Sequence, residues 1–152
     1  MSWIAPALAF PARLDLPSGH HLRPIRADDA EIDLPAVMGS RASLWRQYGD
    51  AWGWPPESMS VETDREDLAH HVDEMRAREG FNYAILDRDE TELLGCVYIY
   101  PPGPDAPGDV GADLSRWVVD SAVGSDLERA LERTLPDWLG ATWGIRVWRA
   151  YP

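Results

Sequence analysis

The stretch WVVDSAVGSDLERAL, residues 117 to 131, decides how the chain is read. An apolar run passes through a short turn into an amphipathic pattern, so a strand is expected to feed directly into a helix. Helix N-termini of this kind are natural anion sites, because their first amide groups point outward and the helix dipole favours negative charge. This turn carries its own acids, Asp126 and Glu128. Ser125 and Glu128 have the spacing of a capping box, and Asp126 beside them meets the positive end of the helix, effects worth roughly 0.3 to 2 kcal/mol each.

Working outward, the preceding strand is expected over ADLSRWVVD. The helix carries Leu127, Leu131, Leu135, Trp138 and Leu139 on one stripe, with Pro136 bending or ending it. The closing segment IRVWRAYP alternates as a strand should, and the helical crossover makes it parallel to the strand before. Upstream, FNYAILD and ELLGCVYIYP read as a hairpin across the polar connection RDET.

Before that lies a helix that Thr63 and Glu66 cap and Gly80 stops, with Leu68, Val72 and Met75 on one face. A helix of about 15 residues through EIDLPAVMGSRASLWRQYG precedes it, capped by Asp28 or Asp29 and closed by Gly49, with Pro35 tolerable only in its first turn. The first strand is HLRPI, where Pro24 argues for an edge or strand end. Residues 1–19, rich in Pro and Ala, read as an irregular arm on a single domain of residues 20–152. The expected fold class is α+β, a mixed sheet of about five strands flanked by three helices and ending after strand five.

Composition narrows the function classes. The net charge of −12 rests on 26 acids against 14 bases, all arginine, and a surface so acidic repels nucleic-acid backbones and anionic membrane. The single Cys96 forms no intrachain disulfide, which fits a reducing cytoplasm. No stretch reaches the ~20 apolar residues of a membrane span, and the N-terminus lacks the positive start of a leader. Neither His20-His21 nor His70-His71 has chelating spacing, so no metal is expected.

The element order, LRPIRADDA near the start, and LLGCVYIYP followed by RWVVD and a glycine-bearing turn together resemble the GNAT superfamily of N-acetyltransferases. The resemblance covers about residues 20–151. It implies direct transfer of an acetyl group from acetyl-CoA to an amine of a small molecule or peptide, with the thioester between the last two strands. Trp117, Val118 and Val119 would offer their backbone to pantetheine. Ser121, Val123, Gly124 and Ser125, with Arg129, would meet the pyrophosphate. The family's phosphate signature, Gln/Arg-x-x-Gly-x-Gly/Ala, is departed from here: in either register a carboxylate from Asp126 or Glu128 stands in the cradle. The alternative implied is an inactive GNAT-like protein that binds a ligand or partner and has lost CoA. Asp113, four residues before Trp117, stands where relatives carry a proton acceptor, and Tyr98 and Tyr100 share a strand face with Cys96. Trp45, Trp52 and Trp54 crowd the loop that lines the acceptor side. The edge of the last strand, bearing Trp148 and Tyr151, invites cover by the arm or by a second subunit, and a homodimer is expected.

Overall fold

The computed structural model describes residues 2–152. Six strands form one sheet in chain order. They are β1 (Leu14–Asp15), β2 (His21–Pro24), β3 (Phe81–Leu86), β4 (Leu93–Tyr100), β5 (Ala112–Val118) and β6 (Trp148–Ala150), and the helices are α1 (Ala30–Gly39), α2 (Arg41–Trp52), α3 (Val61–Ala77) and α4 (Asp126–Trp138). All neighbouring strands are antiparallel except β5 and β6, which run parallel as the helical crossover requires.

The register fixes two faces. Asn82 stands opposite Tyr98 and Tyr98 opposite Ser115, while Cys96 faces Trp117 and Tyr100 faces Asp113. Opposed residues project to the same side, so this face carries nearly all of the sheet's polar side chains together with Tyr98, Tyr100 and Trp117. It is covered by α1, α2 and α3, with Tyr48 of α2 edge-on to Tyr98. The other face carries Phe81, Tyr83, Ile85, Val97 and Ile99 and packs against α4 and the turn beyond it, Tyr83 lying perpendicular to Trp138 at 5.1 Å.

Several elements differ from the sequence reading. The arm is not wholly irregular, because Leu14–Asp15 adds a strand against β2. It covers that edge of the sheet, leaving β6 at the opposite edge. Trp3 and Phe10 lie against Phe81, and Arg78 donates to the carbonyls of Leu8 and Ala5. The expected long first helix is two helices: Ser40 breaks it, and its hydroxyl accepts from the Asp120 amide 80 residues away. Gly49 does not end α2, which runs on to Trp52 and closes on Gly53 in the left-handed region. Pro35 sits beyond the first turn of α1. Ser60, not Thr63, caps α3, its hydroxyl accepting from the Thr63 amide, and Arg78 rather than Gly80 provides the left-handed stop. Past Pro136, α4 continues only to Trp138 before widening into a π-turn over Leu139–Trp143. Of IRVWRAYP only Trp148–Ala150 pairs as strand.

One buried ion pair ties the sheet to α1. Arg23 of β2 donates to both carboxylate oxygens of Asp29 at 2.8 and 2.9 Å, and Asp29 also accepts from the Arg26 amide at 2.8 Å. Arg23 reaches Glu90 at the hairpin tip as well, and His21 contacts the same carboxylate. Removing one partner strands the other charge in the interior. Asp29→Ala is therefore expected to cost about 3–5 kcal/mol in urea-induced unfolding; a loss under about 1 kcal/mol, the value of an exposed pair, would show the ion pair to be dispensable.

Candidate functional site: two clefts on either side of one strand

A cleft of about 530 Å³ opens between α3 and the polar face of the sheet. Its floor is Asn82, Cys96, Tyr98 and Tyr100; its walls include Trp52 and Trp54 from α2 and the loop after it, and Asp64, Asp67 and His71 from α3. Asp33 of α1 and Asp113 of β5 complete an acidic lining. The aromatic wall is continuous, since Trp52 stands edge-on to both Tyr98 and Tyr100.

Asp33 and Asp64 are both buried and are neighbours where α1 packs on α3. Two carboxylates in contact cannot both stay ionised away from water, so the pair shares a proton. Burial is the main force pushing Asp33 well above the usual carboxylate range, aided by the Asp64 charge; Asp64 is also raised by burial, while its contact with Asp33 pulls the other way. Asp33 is thus the member of the pair held more strongly toward its protonated form.

Burial likewise raises the phenols of Tyr98 and Tyr100 and the thiol of Cys96, which keeps all three protonated at neutral pH. Cys96 is accordingly a core residue on the cleft floor, without thiolate character. Asp113 is tied down: Arg149 donates to both of its oxygens at 2.6 and 2.9 Å, and the Gly103 amide donates at 3.0 Å.

A second cleft, of about 380 Å³, lies on the far side of β5. It exists because β6 pairs with β5 only from Ala112 to Leu114, so the edge from Ser115 to Val118 has no strand partner. Gln47 of α2 donates to the Arg116 carbonyl on that edge at 3.1 Å. Trp117 lines this cleft, and its indole donates at 2.9 Å to the Tyr98 hydroxyl, which lines the first. One hydrogen bond therefore connects the two spaces.

At the turn into α4, Ser125 caps the helix by accepting from the Glu128 amide. Glu128 closes only half of the expected capping box, since it reaches past Ser125 and accepts from the Gly124 amide at 3.0 Å. Gly124 has φ +74 and open space where a Cβ would stand, while the amides of Val123 and Ser125 donate to the carbonyls of Asp120 and Ala122. Asp126 is exposed and paired with Arg129, which also donates to the Gly124 carbonyl.

The structure brings together most of the residues singled out by sequence and leaves some apart. Tyr98, Tyr100, Asp113, Trp52 and Trp54 share the first cleft; Trp117, Val118 and Val123 line the second. Trp45 is 44% exposed on the outer side of α2, with its ring under the Arg41 guanidinium. Val119 and Ser121 line a separate hollow beside α1. Sequence reasoning missed Asp33, Asp64, Asp67 and Asn82. The available signal was that Asp64, Asp67 and His71 recur at helical spacing beside Leu68 on the inward face of α3. Among the described residues no group of three His, Cys, Asp or Glu side chains converges as a metal centre needs, and no helix is long and apolar enough to cross a membrane.

No protein-family model and no curated protein matches the sequence. Solved structures do match the fold. The ribosomal-protein-S5-alanine acetyltransferase of Vibrio fischeri superposes with a TM-score of 0.61 at 18% identity, over 86% of this chain and 68% of its own. RimJ of Mycobacterium smegmatis, in complex with CoA-disulfide, gives 0.66 at 20% identity over 90% and 65%. The microcin C7 self immunity acetyltransferase MccE, in complex with acetyl-CoA and AMP, gives 0.67 at 12% identity over 86% and 68%. The chain has the fold of the GNAT acetyltransferases.

The shared proton makes a pH prediction with a definite sign. Because the folded pKa of Asp33 lies above its ordinary 3.8, the stability that it lends is complete below that value and is lost as pH rises through the folded value. Asp33→Asn keeps a donor to Asp64 and never ionises. Its Tm is expected to rise relative to that of the unsubstituted protein between pH 4 and 8; a constant difference across that range would mean that Asp33 does not titrate there.

Proposed function

We propose that the chain is an acyltransferase that moves an acetyl group from acetyl-CoA to an amine of a small molecule or peptide. The observation that carries this reading is the pair of clefts meeting at the Trp117–Tyr98 hydrogen bond, one flanking an open strand edge and the other acidic and aromatic. An open edge offers main-chain donors and acceptors to an amide-bearing arm such as pantetheine. The acidic cleft suits a positively charged acceptor, through its carboxylates and through rings able to contact a cation. The fold shared with acetyltransferases captured with CoA-disulfide or acetyl-CoA supports the same donor.

The residues of the open-edged cleft fit the cofactor in part. The unpaired edge of β5 from Ser115 to Val118 would receive the pantetheine arm, with Val123 beside it, and the amides of Gly124 and Ser125 would meet the pyrophosphate once released from Glu128 and Ala122. Arg129 stands at that turn, engaged by Asp126. Acetyl-CoA would supply the activated thioester. Tyr98 and Tyr100, kept protonated by burial, are in the form able to give a proton to a leaving thiolate. Asp113 faces the amine cleft at the register where the resemblance puts a proton acceptor. Arg149 occupies both of its oxygens, so a water would relay the proton. His71 is a second acceptor on the wall, its Nδ1 3.2 Å from Glu74.

The bond from Gly124 to Glu128 supports a second reading, a ligand- or partner-binding protein on the same scaffold that no longer binds CoA. The carboxylate already holds an amide that a phosphate would need and repels the phosphate itself. Isothermal titration separates the readings. Acetyl-CoA is expected to bind, and Glu128→Ala to tighten it by about tenfold, or 1.4 kcal/mol. Saturation at a hundred times the dissociation constant should stabilise the fold by about 2.7 kcal/mol. Absence of binding in both proteins would exclude the transferase reading, and equal binding in both would exclude Glu128 as the obstacle.

A further inference from the structure

We infer that the acidic cleft takes small molecules bearing two separated cationic nitrogens, and that Asp64 and Asn82 hold the nitrogen that does not react. This rests on the reading of the cleft as the acceptor site. The first observation is a contrast within the molecule. Asp29, a buried acid with a structural task, accepts from two guanidinium nitrogens of Arg23 and from the Arg26 amide. Asp64 is only 2% exposed, yet its Oδ2 accepts from no protein group. Asn82, 3% exposed on the strand beneath, has an Oδ1 in the same condition. Both residues line the cleft, and both unsatisfied atoms are acceptors.

An acceptor left unpaired in the interior costs stability, and a buried carboxyl pair costs more than apolar residues of similar volume would. The cost is offset only by an occupant that donates. A neutral donor satisfies hydrogen bonding but leaves the charges of Asp64 and Asp67 uncompensated, since Asp33 is held toward its neutral form and Asp113 is paired with Arg149; a cation with N–H groups satisfies both. Trp52 and Trp54 on the same wall add ring faces that favour a cation.

The chemistry then requires a second nitrogen. An amine attacks a thioester only after losing its proton, whereas an ammonium held against a carboxylate keeps its own more firmly. The nitrogen at Asp64 is therefore the anchor. The nucleophile is another nitrogen of the same molecule, reaching toward Tyr98 and Trp117, where the two clefts join. A volume of about 530 Å³ matches a small ligand and not a folded partner.

The test uses calorimetric titration of the full chain without any acyl donor, with 1,4-diaminobutane and n-butylamine as probes. The diamine is expected to bind at least about tenfold more tightly than the monoamine. Asp64→Asn, which keeps the shape and removes the charge, and Asn82→Ala are each expected to weaken the diamine by about tenfold or more. Melting curves confirm that each variant is folded, and Asn82→Ala carries the test should Asp64→Asn fail to fold. Equal binding of the two probes, or diamine binding unchanged in the folded variants, overturns the inference. Acetyl-CoA titrated into the same samples keeps the two conclusions apart. Binding of acetyl-CoA without the diamine sinks this inference and leaves the transferase reading standing. Binding of the diamine without acetyl-CoA supports the cation site and sinks the transferase reading.

Discussion

β5 is gripped along its whole length on one side and for only three residues on the other. That asymmetry governs the rest. Antiparallel pairing with β4 fixes which of its side chains join the polar face, while the short parallel pairing with β6 leaves backbone exposed just where the strand ends. A fully paired β6 would close the second cleft and leave Trp117 as an ordinary core residue. Instead the Trp117 indole spans from an open edge to a buried phenol, and the strand acts as a partition between two spaces of different character. Gln47 and Ser43, from a helix on the other layer, form part of the open side.

The polar face of the sheet shows how a core tolerates such a partition. Tyr48 reaches the Ser115 hydroxyl at 2.7 Å and Trp117 reaches Tyr98, so these four polar groups are satisfied by each other. The acids of α1 and α3 meet the interior differently, through a shared proton, which costs stability in the pH range where most proteins work. Apolar packing on the opposite face, where the rings of Phe81, Tyr83, Trp138 and Trp143 interlock, supplies the compensating stability. The two faces thus divide labour: one contributes stability and the other gives up part of it for an unusual lining.

Much of this was readable from local pattern. The β3–β4 hairpin, β5, the Ser125 cap, the stripe of α4 and the parallel return to β6 each follow from periodicity and turn residues within a dozen positions. The features that escaped are non-local. Ser40 splits a continuous helical pattern because its hydroxyl is claimed by Asp120, and no window around residue 40 contains that fact. β1 is two residues long and exists only because β2 lies beside it. Asp33 and Asp64 are ordinary acids in two amphipathic helices until α1 and α3 pack and bring them together. Asn82 sits in a strand buried at every position, where an amide breaks no alternation. Glu128 shows a subtler gap: its spacing from Ser125 was visible, but which amide it would take depends on the positive φ of Gly124.

The docking of the arm has a consequence for synthesis. Ala5 and Leu8 are joined to Arg78 across 73 and 70 residues, and Trp3 and Phe10 rest on Phe81. During translation the arm is made before these partners, so it stays unattached until β3 has left the ribosome. The rings of Trp3 and Phe10 have no Phe81 to rest on throughout that interval, so docking of the arm is a late step of folding.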